Sequence, residues 1–537
     1  MELTDTTWKD GSPGAVLMLQ GTASDVGKSV VTAALCRIFV QDGYRTAPFK
    51  SQNMALNSYV TADGKEIGRA QGMQAEACGI EATTDMNPIL IKPTGDMHSQ
   101  IVVHGRPLAH MSATDYRSRF LPEAKDTVLE ALDRLRGQYD IVVMEGAGSP
   151  AEINLKDRDI VNMNLAGWAD APVLLVADID RGGVFAFLVG TLELLEPHER
   201  QRVKGFIINK FRGDLSLLQP GLDWLEDRTG IPVLGVLPYI PDIRIEAEDS
   251  VVLDELTAKG QSSPEADIDI AVIRYPRISN FTDFDPLQEE RDVRVRFITK
   301  AADLGHPDVI ILPGTKDTIG DLQYLRSQGF DLAIAAAVES GDAQLAGICG
   351  GYQMLGKMLH DPDAADGGVA REEEGLGYLP VATTFAKEKR TVRVTGRVAD
   401  HSPLLLSAQS RYLLAAGEPI PVEGYEIHMG QSRSLKGKQM APVFKLGPDG
   451  EQPAAEGWGT LDGRIWGTYL HGVFHNDRLR RLWLDRIRES KGLRPVKETF
   501  SASGLKEQEF DRVASLVREH LDLERVYQIM GISAKTV

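Results

Sequence analysis

Ala15-Val-Leu-Met-Leu-Gln-Gly21-Thr-Ala-Ser-Asp-Val-Gly27-Lys28-Ser29 is an apolar run that breaks into a glycine-bounded polar loop. The residues after it place Val30, Val31, Ala34, Leu35, Ile38 and Phe39 at helical spacing, the pattern of an amphipathic helix. Strand, glycine loop and helix in that order form a setting in which backbone N–H groups wrap phosphates. The lysine reaches the outer phosphates, and the hydroxyl after it can face Mg2+. Gly21, Thr22, Asp25, Val26, Gly27, Lys28 and Ser29 are therefore the candidate ATP-binding residues of this loop. A glycine turn with an incidental lysine is the plain alternative. Five residues separate the two glycines, where the common motif has four.

Outward from this stretch, other apolar runs end in the same way. Ile141–Met144 runs into Glu145-Gly-Ala-Gly, Val173–Ala177 into Asp178-Ile-Asp-Arg-Gly-Gly, and Phe206–Ile208 into Asn209-Lys210. Short buried strands alternating with helices specify a doubly wound α/β domain. Ligands in such sheets bind beyond the carboxyl ends of the strands, so the four exits are expected to share one crevice. Glu145, followed by small residues, suits an oxygen ligand for Mg2+. Lys50, in Pro-Phe-Lys-Ser-Gln-Asn-Met, can neutralise charge developing in phosphoryl transfer. For Lys92 an exposed lysine is an equal reading. Asp178, Asp180 and Arg181 orient a metal or substrate, or form a structural ion pair.

A second series of runs begins near Ile268, after the polar stretch 258–267, which has the composition of a linker. Its members are Ile270–Ile273, Val309–Leu312 before Pro313-Gly314-Thr315, Leu345–Ile348 before Cys349-Gly-Gly, and Ile465–Leu470 before His471. Gly347-Ile-Cys349-Gly350-Gly351 has the form of a nucleophile elbow: a sharp strand-to-helix turn presents the thiol and small neighbours permit close approach. Cys36 and Cys78 lie in helix-like apolar settings and read as core residues. A catalytic thiol needs a base. Of eleven histidines, His471 stands directly at a strand exit, with His428 the competing candidate. Gly314 and Gly350 can offer backbone N–H groups to an oxyanion, though a turn alone also accounts for Gly314.

Composition limits what this chemistry serves. The chain has 537 residues, 42% hydrophobic and 25% charged, the mixture of an ordinary globular protein of several domains. A net charge of −18 argues against nucleic acid or anionic membrane as a partner. Three cysteines without a CxxC pair fit a reducing compartment. There is no run of about 20 apolar residues for a membrane span, and Met1–Asp10 is acidic, unlike a signal peptide. The expected location is cytoplasmic. From Arg478 a helical pattern with Val513, Leu516, Val517 and Leu521 is expected to pack against a domain.

The glycine loop, with its longer spacing, resembles that of dethiobiotin-synthetase-like enzymes. That resemblance implies Ser29, Glu66 and Glu145 as Mg2+ ligands and places Asn209 and Lys210 where such folds contact the nucleotide base. Gly-Thr-Tyr-Leu-His471-Gly resembles the histidine motif of class I glutamine amidotransferases. Val473 stands where many members carry a glutamate, so a dyad or a differently placed acid must serve. A larger ordered set includes Lys50-Ser-Gln-Asn-Met, Glu66-Ile-Gly-Arg-Ala-Gln, Glu145-Gly-Ala-Gly-Ser-Pro-Ala-Glu, Arg274-Tyr-Pro-Arg-Ile-Ser-Asn-Phe-Thr-Asp and Gly347-Ile-Cys-Gly-Gly-Tyr-Gln. Together these motifs resemble the glutamine-dependent cobyric acid synthase family over roughly residues 15–475.

The resemblance implies two doubly wound, mainly parallel α/β domains, P-loop NTPase-like over 1–257 and class I glutaminase-like over 268–480, with a helical tail over 481–537. It implies ATP- and glutamine-dependent amidation of the b, d, e and g carboxylates of a corrinoid, adenosylcobyrinic acid a,c-diamide, in cobalamin biosynthesis. Phosphorylation makes the carboxylate oxygen a leaving group, and ammonia then displaces phosphate. A shielded passage between the halves is expected, because ammonia released to water is protonated. Rival readings are cobyrinic acid a,c-diamide synthase, a CTP-synthase-like ligase, and a P-loop switch ATPase whose second domain only binds.

Overall fold

Runs dense in Val, Ile and Leu form strands buried on both faces, as a parallel sheet covered by helices requires. The computed structural model describes residues 13–94, 98–245, 266–366, 370–407, 418–435, 440–448, 451–496 and 500–533. In the N-terminal unit six strands lie in the order Val233–Pro238, Val203–Phe211, Val173–Asp178, Ala15–Gly21, Ile141–Glu145 and Thr46–Phe49. Every pairing is parallel. The four strands whose exits carry the candidate residues are thus neighbours, with their carboxyl ends side by side. Alternation along Ala15–Gly21 sends Leu17 and Leu19 into one core with helix Lys28–Gln41. Val16 and Met18 enter the other, with helix Leu121–Gln138.

Between Thr46–Phe49 and Ile141–Glu145 the chain adds structure that the reading of apolar runs did not contain. Gln52–Met54, Ile89–Pro93, His98–Val103 and Arg106–Ser112 form a small sheet, and Ser58–Val60 pairs with Glu66–Gly68 as a hairpin. These strands are short and interrupt their apolar residues irregularly with polar ones, so they carry no sustained alternation.

In the C-terminal unit, Val293–Ile298, Ile268–Ile273, Val309–Leu312, Gln344–Ile348 and Ile465–Thr468 form a parallel block. It continues as an antiparallel wing through Ala454–Thr460, Met440–Gly447 and the long strand Val381–Val398, on which Pro421–Ser434 pairs. This wing adds to the parallel arrangement expected from the sequence. Its longest strand is interrupted by the charged run Lys387-Glu-Lys-Arg390, where the register also shifts, so no strand period shows there.

The sequence boundary at 480 falls within helix Asp477–Ser490, whose Leu479, Leu482, Trp483 and Ile487 belong to the core of the second sheet. Helix Ala502–His520 instead returns to the first unit. It buries Phe510, Val513, Ala514 and Val517 in the core that contains Lys28–Gln41, with Arg37 pairing to Asp511 at 2.7 Å. The segment 481–537 is therefore divided between the two units, because helices Asp477–Ser490 and Ala502–His520 have different partners. The linker assigned to 258–267 lies almost entirely outside the described residues. No helix of the described residues is long and apolar enough to cross a membrane.

Candidate active site

Gly27 caps helix Lys28–Gln41 with φ 94°, a left-handed conformation that glycine adopts without strain. A Cβ there would stand 2.2 Å from Asn209 Nδ2. Asn209 Nδ2 donates to the carbonyl of Val26 at 2.9 Å, and Lys210 Nζ to that of Asp25 at 2.6 Å. The residues placed at the nucleotide base thus brace the loop itself, and both also line the cavity around it. Lys28 Nζ donates to the carbonyls of Ala23 and Gly148 at 3.0 and 3.2 Å, which holds its charge at the centre of the loop.

Beside it, Ser29 Oγ donates to Glu145 Oε1 at 2.8 Å, and Lys50 Nζ reaches the same oxygen at 3.0 Å. Gln74 Nε2 donates to Glu145 Oε2 at 2.6 Å. Burial alone would raise the Glu145 carboxyl; the charge of Lys50 and these hydrogen bonds outweigh it and hold the group below its ordinary value. An ionised carboxylate beside a hydroxyl is the hard oxygen pair that Mg2+ takes together with phosphate oxygens. Ser29, Lys28, Lys50, Glu145, Asp178 and Asn209 face one cavity of about 1070 Å3, so the four strand exits do converge. Asp178 pairs with Lys210 at 2.8 Å and Asp180 with Arg212 at 2.9 Å, and both line this cavity.

Glu66 does not join this group. Its Oε1 accepts from Ser58 Oγ at 2.6 Å and Lys92 Nζ at 2.5 Å, and its Oε2 accepts from Lys389 of the other unit. Two lysines and a hydroxyl thus hold the carboxylate expected as a third metal ligand, and Glu66 is not among the residues that line the cavity around Ser29 and Glu145. Lys92 is likewise buried, not exposed. Burial, with the like charge of Lys92, brings the Lys389 ammonium down to about 8 against the pull of Glu66.

The second candidate centre is built on a strained turn. Cys349 has φ 51° and ψ −107°, a conformation that costs a non-glycine residue about 1–3 kcal/mol. A Cβ on Gly347 would meet the Tyr352 backbone at 2.7 Å, and one on Gly351 the Leu312 carbonyl at 1.9 Å. Small residues on either side are what let the strand turn so sharply into the helix. Gly350 opens that helix, and Gly314 packs against the imidazole of His471, where a Cβ would come 3.2 Å from Cε1.

His471 is fully buried. Its Nδ1 pairs with Asp283 Oδ2 at 2.7 Å, and Asp283 Oδ1 accepts from Gly472 N at 2.8 Å. Burial pulls the imidazole down, but Asp283, helped by the Cys349 sulfur, overcomes it and pushes the group up to about 10. The Tyr425 ring stacks on the imidazole with centroids 5.1 Å apart. His428 is engaged elsewhere: its Nδ1 is 2.7 Å from the Gly430 carbonyl, its Nε2 3.4 Å from Glu426 Oε2, and its ring lies on Tyr469. Thiol, imidazole and buried carboxylate form a relay suited to acyl transfer from an amide.

Two family models match the chain, a CobQ/CobB/MinD/ParA nucleotide binding domain over residues 17–252 and a CobB/CobQ-like glutamine amidotransferase domain over 269–479. The cobyric acid synthase of Geobacillus thermodenitrificans (strain NG80-2) is 52% identical over 96% of this chain and 98% of its own. The chain belongs to the cobyric acid synthase family. Cobyric acid synthases of Desulforamulus reducens and of Dehalococcoides mccartyi (strain CBDB1) match at 52% and 51% identity. Each match covers 96% of this chain, and 98% and 99% of the relative.

In this member of the cobyric acid synthase family, three polar residues at the two centres were not singled out from sequence. Asp283 closes the run Arg274–Asp283 but stands 188 positions from His471, and no spacing rule links the two. Asn280, in the same run, faces His471 Nε2 through its Nδ2 at 3.4 Å. Gln74 follows Glu66-Ile-Gly-Arg-Ala-Gln71 by one turn of helix Arg69–Ala77, and its polarity on a fully buried face was the available signal.

Proposed function

We propose that this chain is a glutamine-hydrolysing, ATP-dependent amide ligase that acts as a cobyric acid synthase. It amidates the b, d, e and g carboxylates of adenosylcobyrinic acid a,c-diamide. The observation that carries the reading is the coexistence, in one chain, of a phosphate loop with a Ser29–Glu145 pair and a Cys349–His471–Asp283 relay.

In the glutaminase half, Cys349 Sγ attacks the side-chain amide carbon of glutamine. The oxyanion meets backbone N–H groups at Gly314 and Gly350. His471 passes the proton to the departing nitrogen, which leaves as ammonia, and water then releases glutamate from the thioester. Asp283 fixes the imidazole through Nδ1, the task a glutamate two residues after the histidine would otherwise perform. In the synthetase half, a substrate carboxylate oxygen attacks the γ-phosphorus of ATP and ADP departs. Ammonia adds to the acyl phosphate carbon and phosphate leaves, giving the amide. Lys28 and Lys50 hold the charge that builds on the phosphoryl oxygens. Ser29 and Glu145 would hold Mg2+, which when bound supplies further neutralisation of the phosphates; Glu66 takes no part. The cavity beside the loop continues past Gln52, Met54, Ile101, Met111, Arg117 and Arg158. This mixture of apolar and cationic side chains suits a large ring carrying several carboxylates.

Incubation with ATP, Mg2+, glutamine and the a,c-diamide should give products carrying one added amide for each of the b, d, e and g positions by mass. No amide added to the a,c-diamide, with amidation instead of the a and c carboxylates of cobyrinic acid or of a pyrimidine nucleotide when those are supplied, would support one of the rival ligases. Asp283→Asn should lower the glutaminase kcat about 10²-fold or more, while synthesis from added ammonia stays near wild type. An unaffected glutaminase would remove Asp283 from the relay.

A further inference from the structure

Thr468 is the residue at which the nucleophile and its base are joined through the backbone. Its carbonyl accepts from the N–H of Cys349 at 2.8 Å, and His471 follows three positions on. Its hydroxyl is held from two sides: Oγ accepts from the N–H of Leu470 at 3.0 Å and meets Glu456 Oε2 at 2.5 Å. Glu456 Oε1 accepts from the N–H of Tyr469 at 2.7 Å. One carboxyl thus spans two consecutive residues of the strand exit, and among the described residues it has no hydrogen bond to the thiol or the imidazole. Gly457 puts it there. Pairing between Ala454–Thr460 and Ile465–Thr468 ends at Trp458 and Gly467, and Gly457 then turns left-handed, φ 66°, where a Cβ would stand 2.6 Å from the Gly467 carbonyl. A glycine at that bend lets the chain carry Glu456 across the end of the neighbouring strand.

We propose that Glu456 is a positioning residue of the glutaminase: by holding Thr468 and Tyr469 together, it sets the separation of Cys349 and His471 across which the thiol proton moves. This rests on the glutaminase reading given above. Asp283 orients the imidazole ring, whereas Glu456 acts on the backbone that carries it.

The protonation of this carboxyl follows from its surroundings. Burial and the negative charge of Glu426 push it up to about 8, against the pull of the Thr468 hydroxyl and the N–H groups of Tyr469 and Gly457. The phenols of Tyr352 and Tyr469 also face it, and Glu426 is itself paired with Arg390 and His428. Below that pH the acid proton sits on Oε2, because on Oε1 it would face the Tyr469 N–H, donor against donor. Oε2–H then donates to Thr468 Oγ. Above that pH the polarity reverses: Thr468 donates to a carboxylate, and the Tyr469 N–H gains a charged acceptor. Hydrogen bonds to an ionised acceptor are shorter and about twice as strong, so the strand exit is held more tightly in the ionised form.

Two variants separate this role from a structural one. Glutaminase kcat and KM for glutamine are followed for the full chain with ATP, Mg2+ and the a,c-diamide, from neutral pH to well above 8. The amide of Glu456→Gln donates to Thr468 as the neutral acid does and cannot ionise; Glu456→Ala removes both contacts. Wild-type kcat should rise about threefold through a pH of about 8, and Glu456→Gln should match wild type below that pH and lack the rise. Glu456→Ala should lower kcat about tenfold while KM stays within about twofold. No rise in the wild type, or a rise retained in Glu456→Gln, would overturn the inference. So would a wild-type kcat in Glu456→Ala, or a loss there carried by KM. Ammonia-supported synthesis reports on folding, and if Glu456→Ala loses it, the pH profile of Glu456→Gln decides. Cys349→Ala runs in parallel. If it keeps glutaminase activity, the site reading has failed; if it loses activity while both Glu456 variants behave as wild type, only the role of Glu456 has.

Discussion

Cys349→Ala is expected to abolish glutamine-supported amidation, with a loss of about 10³-fold or more, and to leave ammonia-supported amidation in place. The size follows from the chemistry. Without sulfur there is no atom to form the thioester, and His471 has no thiol proton to take. The selectivity follows from geometry. The thiol sits on an elbow between Gln344–Ile348 and the helix Gly350–Met354, in the second sheet, whereas Ser29 and Lys50 close on Glu145 in the first unit, with Lys28 on the same cavity. Removing one sulfur from a strained turn changes little in packing. Steady-state amidation with glutamine and with ammonium salts, run side by side, measures both halves of the expectation. Retained glutamine use would show that Cys349 is not the nucleophile.

Lys28→Ala should remove amidation from either nitrogen source, again by about 10³-fold. Both routes require an activated carboxylate, and Lys28 is the cation that the loop holds in place through the carbonyls of Ala23 and Gly148. Gly27 and Asn209 shape the backbone around it without supplying charge. The measurement is the rate of amide and ADP formation with the a,c-diamide, from glutamine and from ammonia. Product formation near the wild-type rate from ammonia would contradict the phosphate-loop assignment and favour a different activating site.

What could be read from the sequence was what is local in the chain. Gly21–Ser29 carries strand, turn and helix within fifteen residues of Ala15, and the glycines around Cys349 announce their turn because only small side chains fit there. His471 was legible from its place at a strand exit. Asp283 was not, since its partner is brought to it by folding. The surroundings of Glu66 were hidden for the same reason: its carboxylate looks available in the sequence, and the lysines that hold it come from Ile89–Pro93 and from the long strand Val381–Val398. The inserted small sheet and the antiparallel wing escaped because their strands mix polar and apolar residues without a stable period. The fate of the last helices depended on which core lay nearest, and an amphipathic pattern shows a buried face without naming its partner.

The central claim is that nitrogen freed at Cys349 is consumed at the Lys28 loop of the same chain. The most direct test supplies glutamine labelled with ¹⁵N at its side-chain amide together with an excess of unlabelled ammonium, and reads the isotope in the new amides by mass. Wild-type product should carry the label at nearly every new amide, and Cys349→Ala product should carry none. Label diluted to the composition of the bulk ammonium in the wild type would contradict the account.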